Sequence, residues 1–96
     1  MSALTPIVLQ HGLAAEELRR RLLAKVVELS ARFSNVGFKA DWIDESTLRY
    51  SASGLSGEVK LMETSVSLSG DASLWLWPLK SRIEAKAADE LAALLA

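Results

Sequence analysis

From Phe38 to Trp77 the chain alternates apolar and polar residues, and only short turns interrupt it. Phe38, Ala40 and Trp42 alternate with Lys39, Asp41 and Ile43 before a turn at Asp44-Glu45. Leu48, Tyr50 and Ala52 alternate with Thr47, Arg49 and Ser51 before a turn at Ser53-Gly54. Leu55, Gly57, Val59 and Leu61 alternate with Ser56, Glu58, Lys60 and Met62, and Glu63 marks a tight turn into Ser65–Trp77. A two-residue period means strands with one apolar face, and short turns mean antiparallel neighbours. The result is a meander whose apolar face must be covered by something else.

Two helices are available as cover. Between about Ala14 and Phe33, Leu18, Leu22, Val26, Leu29 and Phe33 recur at helical spacing. Glu16 and Glu17 open that helix and Arg32 closes it, as its dipole favours. Ser34-Asn35-Val36-Gly37 is its exit, with Asn35 or Gly37 able to take positive φ. Pro78 suits the first turn of a second helix, whose stripe is Ile83, Ala87, Leu91 and Leu94 or Leu95. A short strand is expected at Ile7–Gln10, with Pro6 before it and Gly12 after.

The fold class that follows is two-layer α+β: an antiparallel meander with both helices on one face, in the order β-α-β-β-β-β-α. Residues 1–96 are expected to form a single domain, since no linker, repeat or low-complexity tract divides them. The other sheet face carries Lys39, Asp41, Arg49, Glu58 and Lys60 and is expected to be solvated, with cross-strand charge pairs.

Composition removes several function classes. Half of the residues are hydrophobic and 24% are charged, a balance that folds rather than staying disordered. A net charge of −1 provides no broad positive field, so nucleic acid is not an expected partner. The absence of cysteine excludes disulfides, thiol nucleophiles and cysteine metal clusters. The segment Met1–Pro6 lacks the basic and apolar regions of a signal peptide, and Leu74–Leu79 is far too short to span a bilayer. A soluble cytoplasmic protein is the expectation.

Few residues suggest chemistry. His11, the single histidine, sits between strand and helix; a hydrogen-bonded junction residue is favoured over a ligand or base. No G-x-S-x-G elbow occurs, and Asp41, Asp44 and Glu45 lack the spacing of a calcium loop. No catalytic residue, metal site or cofactor is therefore expected. Gly54-Leu55-Ser56-Gly57 matches a GxxG phosphate loop, but it falls at a strand turn rather than between helices. There the glycines are explained by turn geometry at Gly54 and close packing under a helix at Gly57. Arg19-Arg20-Arg21 is diluted by Glu16, Glu17 and Glu28 and reads as a solvated helix face.

The strongest lead is a break in the alternation. In Ser65–Trp77 the polar face runs through serines and Asp71, then meets Trp75 and Trp77. An uninterrupted strand turns those tryptophans outward, whereas a bulge at Gly70-Asp71 turns Leu74 and Leu76 outward. Either pair makes an apolar patch of the kind that marks interfaces, unless the next helix folds over it.

The order and spacing of further residues carry a family resemblance. Ile7-x-Leu9-x-His11-x-Leu13 precedes Glu16/Glu17 and the arginine-rich helix. Trp42, Leu48-Arg49-Tyr50, Gly54-x-x-Gly57 and Leu76-x-Pro78-x-Lys80-x-x-Ile83-Glu84 follow. This pattern resembles the small bacterial polyhydroxyalkanoic acid system proteins, also called the polyhydroxyalkanoate granule-region family, over nearly the whole chain. The resemblance implies a cytoplasmic protein associated with polyester storage, and no enzyme activity or catalytic residue comes with it. Family members tend to have a Gly and plainer aliphatics where this chain has Leu74-Trp75-Leu76-Trp77.

Three functions are therefore weighed. The first is a non-enzymatic interaction protein that binds itself, a granule protein or a polyhydroxyalkanoate granule surface through Leu74, Trp75, Leu76 and Trp77, as a homo-oligomer. The second is a small-ligand or catalytic domain whose pocket lies between sheet and helices and is lined by His11, Trp42 and Tyr50. RNA binding through Arg19–Arg21 and the GxxG turn is the third and weakest.

Overall fold

The computed structural model describes residues 2–96. Strands β1 (Ser2–Ala3) and β2 (Ile7–Gln10) lead into helix α1 (Ala15–Arg32). Next come β3 (Lys39–Trp42), β4 (Thr47–Ala52), β5 (Leu55–Leu61) and β6 (Ser65–Ala72), and then helix α2 (Lys80–Leu95). Short 3-10 turns at Ser34–Val36 and Leu74–Leu79 precede β3 and α2.

The sheet is antiparallel throughout, with β3, β4, β5 and β6 side by side in chain order. Strands β1 and β2 share the outer edge of β6, Ser2 opposite Ala72 and Ile7 opposite Leu68. The edge is interrupted between them because Thr5 donates its backbone N–H to Glu84 Oε2 at 2.6 Å instead of to β6. Pro6, next in line, has no N–H to give. The alternation did not reveal β1, which is only two residues long.

Leu18 and Leu22 of α1 and Leu91 and Leu94 of α2 are buried on Leu48, Val59 and Val66 of the sheet. The helices run in opposite directions. Arg21 donates to the carbonyls of Leu94 and Ala96 at the end of α2, at 3.1 and 2.8 Å, and Arg32 pairs with Glu90. Arg21 thereby satisfies carbonyls that a helix end leaves open. Burial fades along both stripes: Val26, Leu29, Ile83 and Ala87 are half-buried, and Phe33 is exposed. The other sheet face is polar, with Asp41 opposite Arg49 and Arg49 pairing with Glu58 at 3.4 Å.

One expectation needs correction. Strand β6 does not continue to Trp77, and no bulge occurs at Gly70-Asp71, where Gly57 faces Gly70 and Ser56 faces Asp71 in unbroken register. The strand stops because its partners stop: Leu55 of β5 and Ser2 of β1 both lie opposite Ala72. Beyond it Ser73 N still donates to Gly54 O at 2.8 Å, but at Gly54 the neighbouring chain turns back into β4, and the segment closes i→i+3 bonds, as from Leu76 N to Ser73 O at 2.9 Å.

Candidate functional site

Tyr50, Gly57 and Gly70 stand in one row across β4, β5 and β6, on the face that bears the helices. A Cβ on either glycine would come within 2.5 Å of the Tyr50 hydroxyl, and one on Gly57 within 2.0 Å of Ser69 O. The tyrosine thus lies across the sheet in the space two side chains would take. Its hydroxyl donates to Ser69 O at 3.0 Å. Burial, reinforced by the charge of Asp71, pushes its pKa up to about 12, so it remains a protonated donor at neutral pH. Close packing at Gly57 is therefore under Tyr50, not under a helix as expected.

The neighbouring row is also low: Ala52, Leu55 and Ala72 face one another. Where the sheet is low, the layers do not meet. A cavity of about 490 Å³ remains between Tyr50, the second half of α1 and the first half of α2. Val26, Leu29, Ile83 and Ala87 line its helical side, and Phe33, Val36 and Leu79 are at once lining and exposed, which places them at its mouth. That volume lies within the range of roughly 300–1,000 Å³ common to small-molecule sites.

Charged groups span the two helices beside the cavity. Glu90 of α2 accepts from Lys25 and Arg32 of α1, both at 2.8 Å, and from Lys86 at 3.2 Å. These bonds pull its carboxyl down to about 2. Lys25, whose strongest partner is Glu90, is held above its ordinary value. Arg82 also lines the cavity, is exposed, and has no ion pair or side-chain hydrogen bond among the described residues.

An exposed apolar edge adjoins the mouth. Both 3-10 turns are tied to the β4–β5 turn, with Ser53 N donating to Val36 O at 2.9 Å and Ser73 N to Gly54 O at 2.8 Å. Gly54 takes the left-handed conformation, φ 77°, and the Trp75 indole packs over it. Leu74 is 73% exposed, Trp75 64% and Trp77 39%. The Lys80 ammonium sits 5.5 Å from the centre of the Trp77 ring. Leu76 is half-buried, which separates it from the other three. A 3-10 turn sets its side chains three to a turn, so the either-or between a Trp pair and a Leu pair does not arise.

The structure separates the residues expected to line a common pocket. Tyr50 floors the cavity, while His11 and Trp42 are not among its lining residues. His11 Nδ1 accepts the Leu13 N–H at 3.1 Å and its Nε2 donates to Met62 O at 3.0 Å. Both ring nitrogens are committed to backbone, which pins the strand-to-helix junction. Trp42 on the edge strand β3 lies beneath the Arg19 guanidinium, 4.2 Å from the ring centre, and its buried Nε1 has no partner among the described residues. Arg19 also donates to Glu45 O, while Arg20 and Arg21 pair with Glu17. The arginine run therefore disperses over three directions rather than forming one basic face. Gly54–Gly57 lies in the β4–β5 hairpin. The pocket expected between sheet and helices is present at Tyr50 but does not reach His11 or Trp42; sequence reading missed the row that makes it, although turns at Ser53-Gly54 and around Glu63 set Tyr50 opposite Gly57 and Gly57 opposite Gly70.

Comparison with known families matches residues 6–95 to the one described as "Putative polyhydroxyalkanoic acid system protein". No curated protein and no solved structure matches the chain. Among the described residues no helix is long and apolar enough to cross a membrane.

Proposed function

The chain belongs to the polyhydroxyalkanoic acid system family, and on that premise we propose that it is a non-enzymatic accessory protein that docks on an apolar surface through Leu74, Trp75 and Trp77. The observation that carries this reading is the exposure of Leu74 and Trp75, at 73% and 64%, on one short turn. Leaving such side chains in water forgoes on the order of 1.5–3 kcal/mol of burial for each. Contiguous exposed apolar groups of this kind mark contact surfaces. A polyester granule presents an apolar surface on which such side chains would be buried. The turn is held by Gly54 and the β4–β5 hairpin, so the aromatic groups are presented on a framed edge and lose little freedom on docking.

Support for a non-catalytic role comes from the titratable groups themselves. His11 has both nitrogens occupied by backbone, and Tyr50 stays protonated. A Trp75→Ser/Trp77→Ser variant tests the reading by co-sedimentation with washed polyhydroxyalkanoate granules. Wild type pellets with the granules and the folded variant stays in the supernatant; equal pelleting of both overturns the proposal. Light scattering on the same pair reports whether the patch also joins copies of the chain.

A further inference from the structure

The cavity over Tyr50 is distinct from the exposed turn, and its chemistry specifies an occupant of its own. Leu48, Val59 and Leu68 line the sheet floor together with Tyr50, whose hydroxyl already donates to Ser69 O. The surface is mostly apolar, although charged side chains of both helices are among its lining residues. A cleft with so apolar a surface favours hydrocarbon guests. A ligand there must put hydrocarbon against Tyr50, Leu29 and Ile83, and its path in runs past Phe33, Val36 and Leu79, which are exposed at the mouth.

The charges around the cavity favour an anionic head. Lys25, Arg32, Arg82 and Lys86 line it against Glu84 and Glu90, four cations to two anions. Glu90 takes up Lys25, Arg32 and Lys86, and Glu84 is bound by Lys80 and Thr5 N. Among the described residues Arg82 is left without an acidic partner, an exposed guanidinium whose fork fits a carboxylate. We propose that the cavity binds a single-chain carboxylate amphiphile, its alkyl chain lying over Tyr50 and its carboxylate at Arg82.

Calorimetric titration of the full chain with decanoate, below its micelle concentration, tests the site, with decanol as the neutral comparison. Decanoate binds saturably, one per chain. Arg82→Gln weakens decanoate roughly tenfold, the worth of one charge-assisted contact, and leaves decanol unchanged. Ala87→Leu and Ala52→Leu each narrow the cavity, weaken binding of both ligands and raise the melting temperature; either one suffices if the other does not fold. The Trp75→Ser/Trp77→Ser variant binds decanoate as wild type does, which separates this site from the docking turn. Absence of saturable decanoate binding overturns the site, as does undiminished affinity for both ligands in the folded, narrowed variants. Decanoate affinity unchanged by Arg82→Gln overturns the placement of the carboxylate.

Discussion

The indole of Trp75 lies against Gly54: a Cβ built on that glycine would sit 2.6 Å from the ring's Cζ2. Gly54 is also left-handed, at φ 77°. One residue thus closes the β4–β5 turn and gives the tryptophan its seat. Gly54→Ala strains the turn and pushes the ring off. The expected cost is about 1–2 kcal/mol in urea denaturation, with tryptophan emission shifted to the red. Unchanged emission would mean that Trp75 does not rest there.

Gly57 tolerates less, because the atom a Cβ would meet, Ser69 O at 2.0 Å, is backbone. Gly57→Ala is expected to cost about 3 kcal/mol or more, at the upper end of overpacking effects. Tyr50→Phe keeps the ring and removes only the bond to Ser69 O, for roughly 1 kcal/mol. Equilibrium unfolding of the two variants should rank them in that order.

Glu90 makes stability depend on acid. Its carboxyl lies near 2 when folded, below the ordinary 4.5 it regains on unfolding. Its contribution is therefore complete above about pH 4.5 and is lost as pH falls through 2. Glu90→Gln is expected to lower stability by about 1–2 kcal/mol at pH 7, discounted because Arg32 and Lys86 are solvent-exposed. The gap between variant and wild type should narrow through that acid window in pH-dependent thermal melts.

His11→Ala removes the acceptor for Leu13 N–H and the donor to Met62 O. A loss of about 1–2 kcal/mol is expected, together with faster hydrogen exchange at Leu13. Binding to granules and to decanoate should be unchanged. A selective loss of either binding with stability intact would give His11 a direct role.

Much of the fold was legible because local pattern and global packing agree. Helical spacing predicts about 14–33 and the helix covers Ala15–Arg32, while alternation places β4 and β5 nearly to the residue. Gly37 takes the positive φ expected of the helix exit. Leu74–Leu79 was not legible, since nothing within those residues shows that the pairing of β6 with β5 ends at Leu55 opposite Ala72. The place of the cavity escaped for a related reason: Gly57 and Gly70 are each an ordinary strand glycine until cross-strand register puts both beneath Tyr50. His11 and Tyr50 share the apolar layer in sequence pattern, yet His11 turns to backbone at the β2–α1 junction while Tyr50 lies in the row of glycines.

The most direct test is tryptophan fluorescence with acrylamide quenching, on and off washed polyhydroxyalkanoate granules, in a Trp42→Phe background where only Trp75 and Trp77 emit. Docking through the Leu74–Leu79 turn predicts that granules shift the emission to the blue and protect both indoles from acrylamide. Granule-bound protein whose tryptophans remain fully quenchable, or protein that does not bind granules at all, would contradict it.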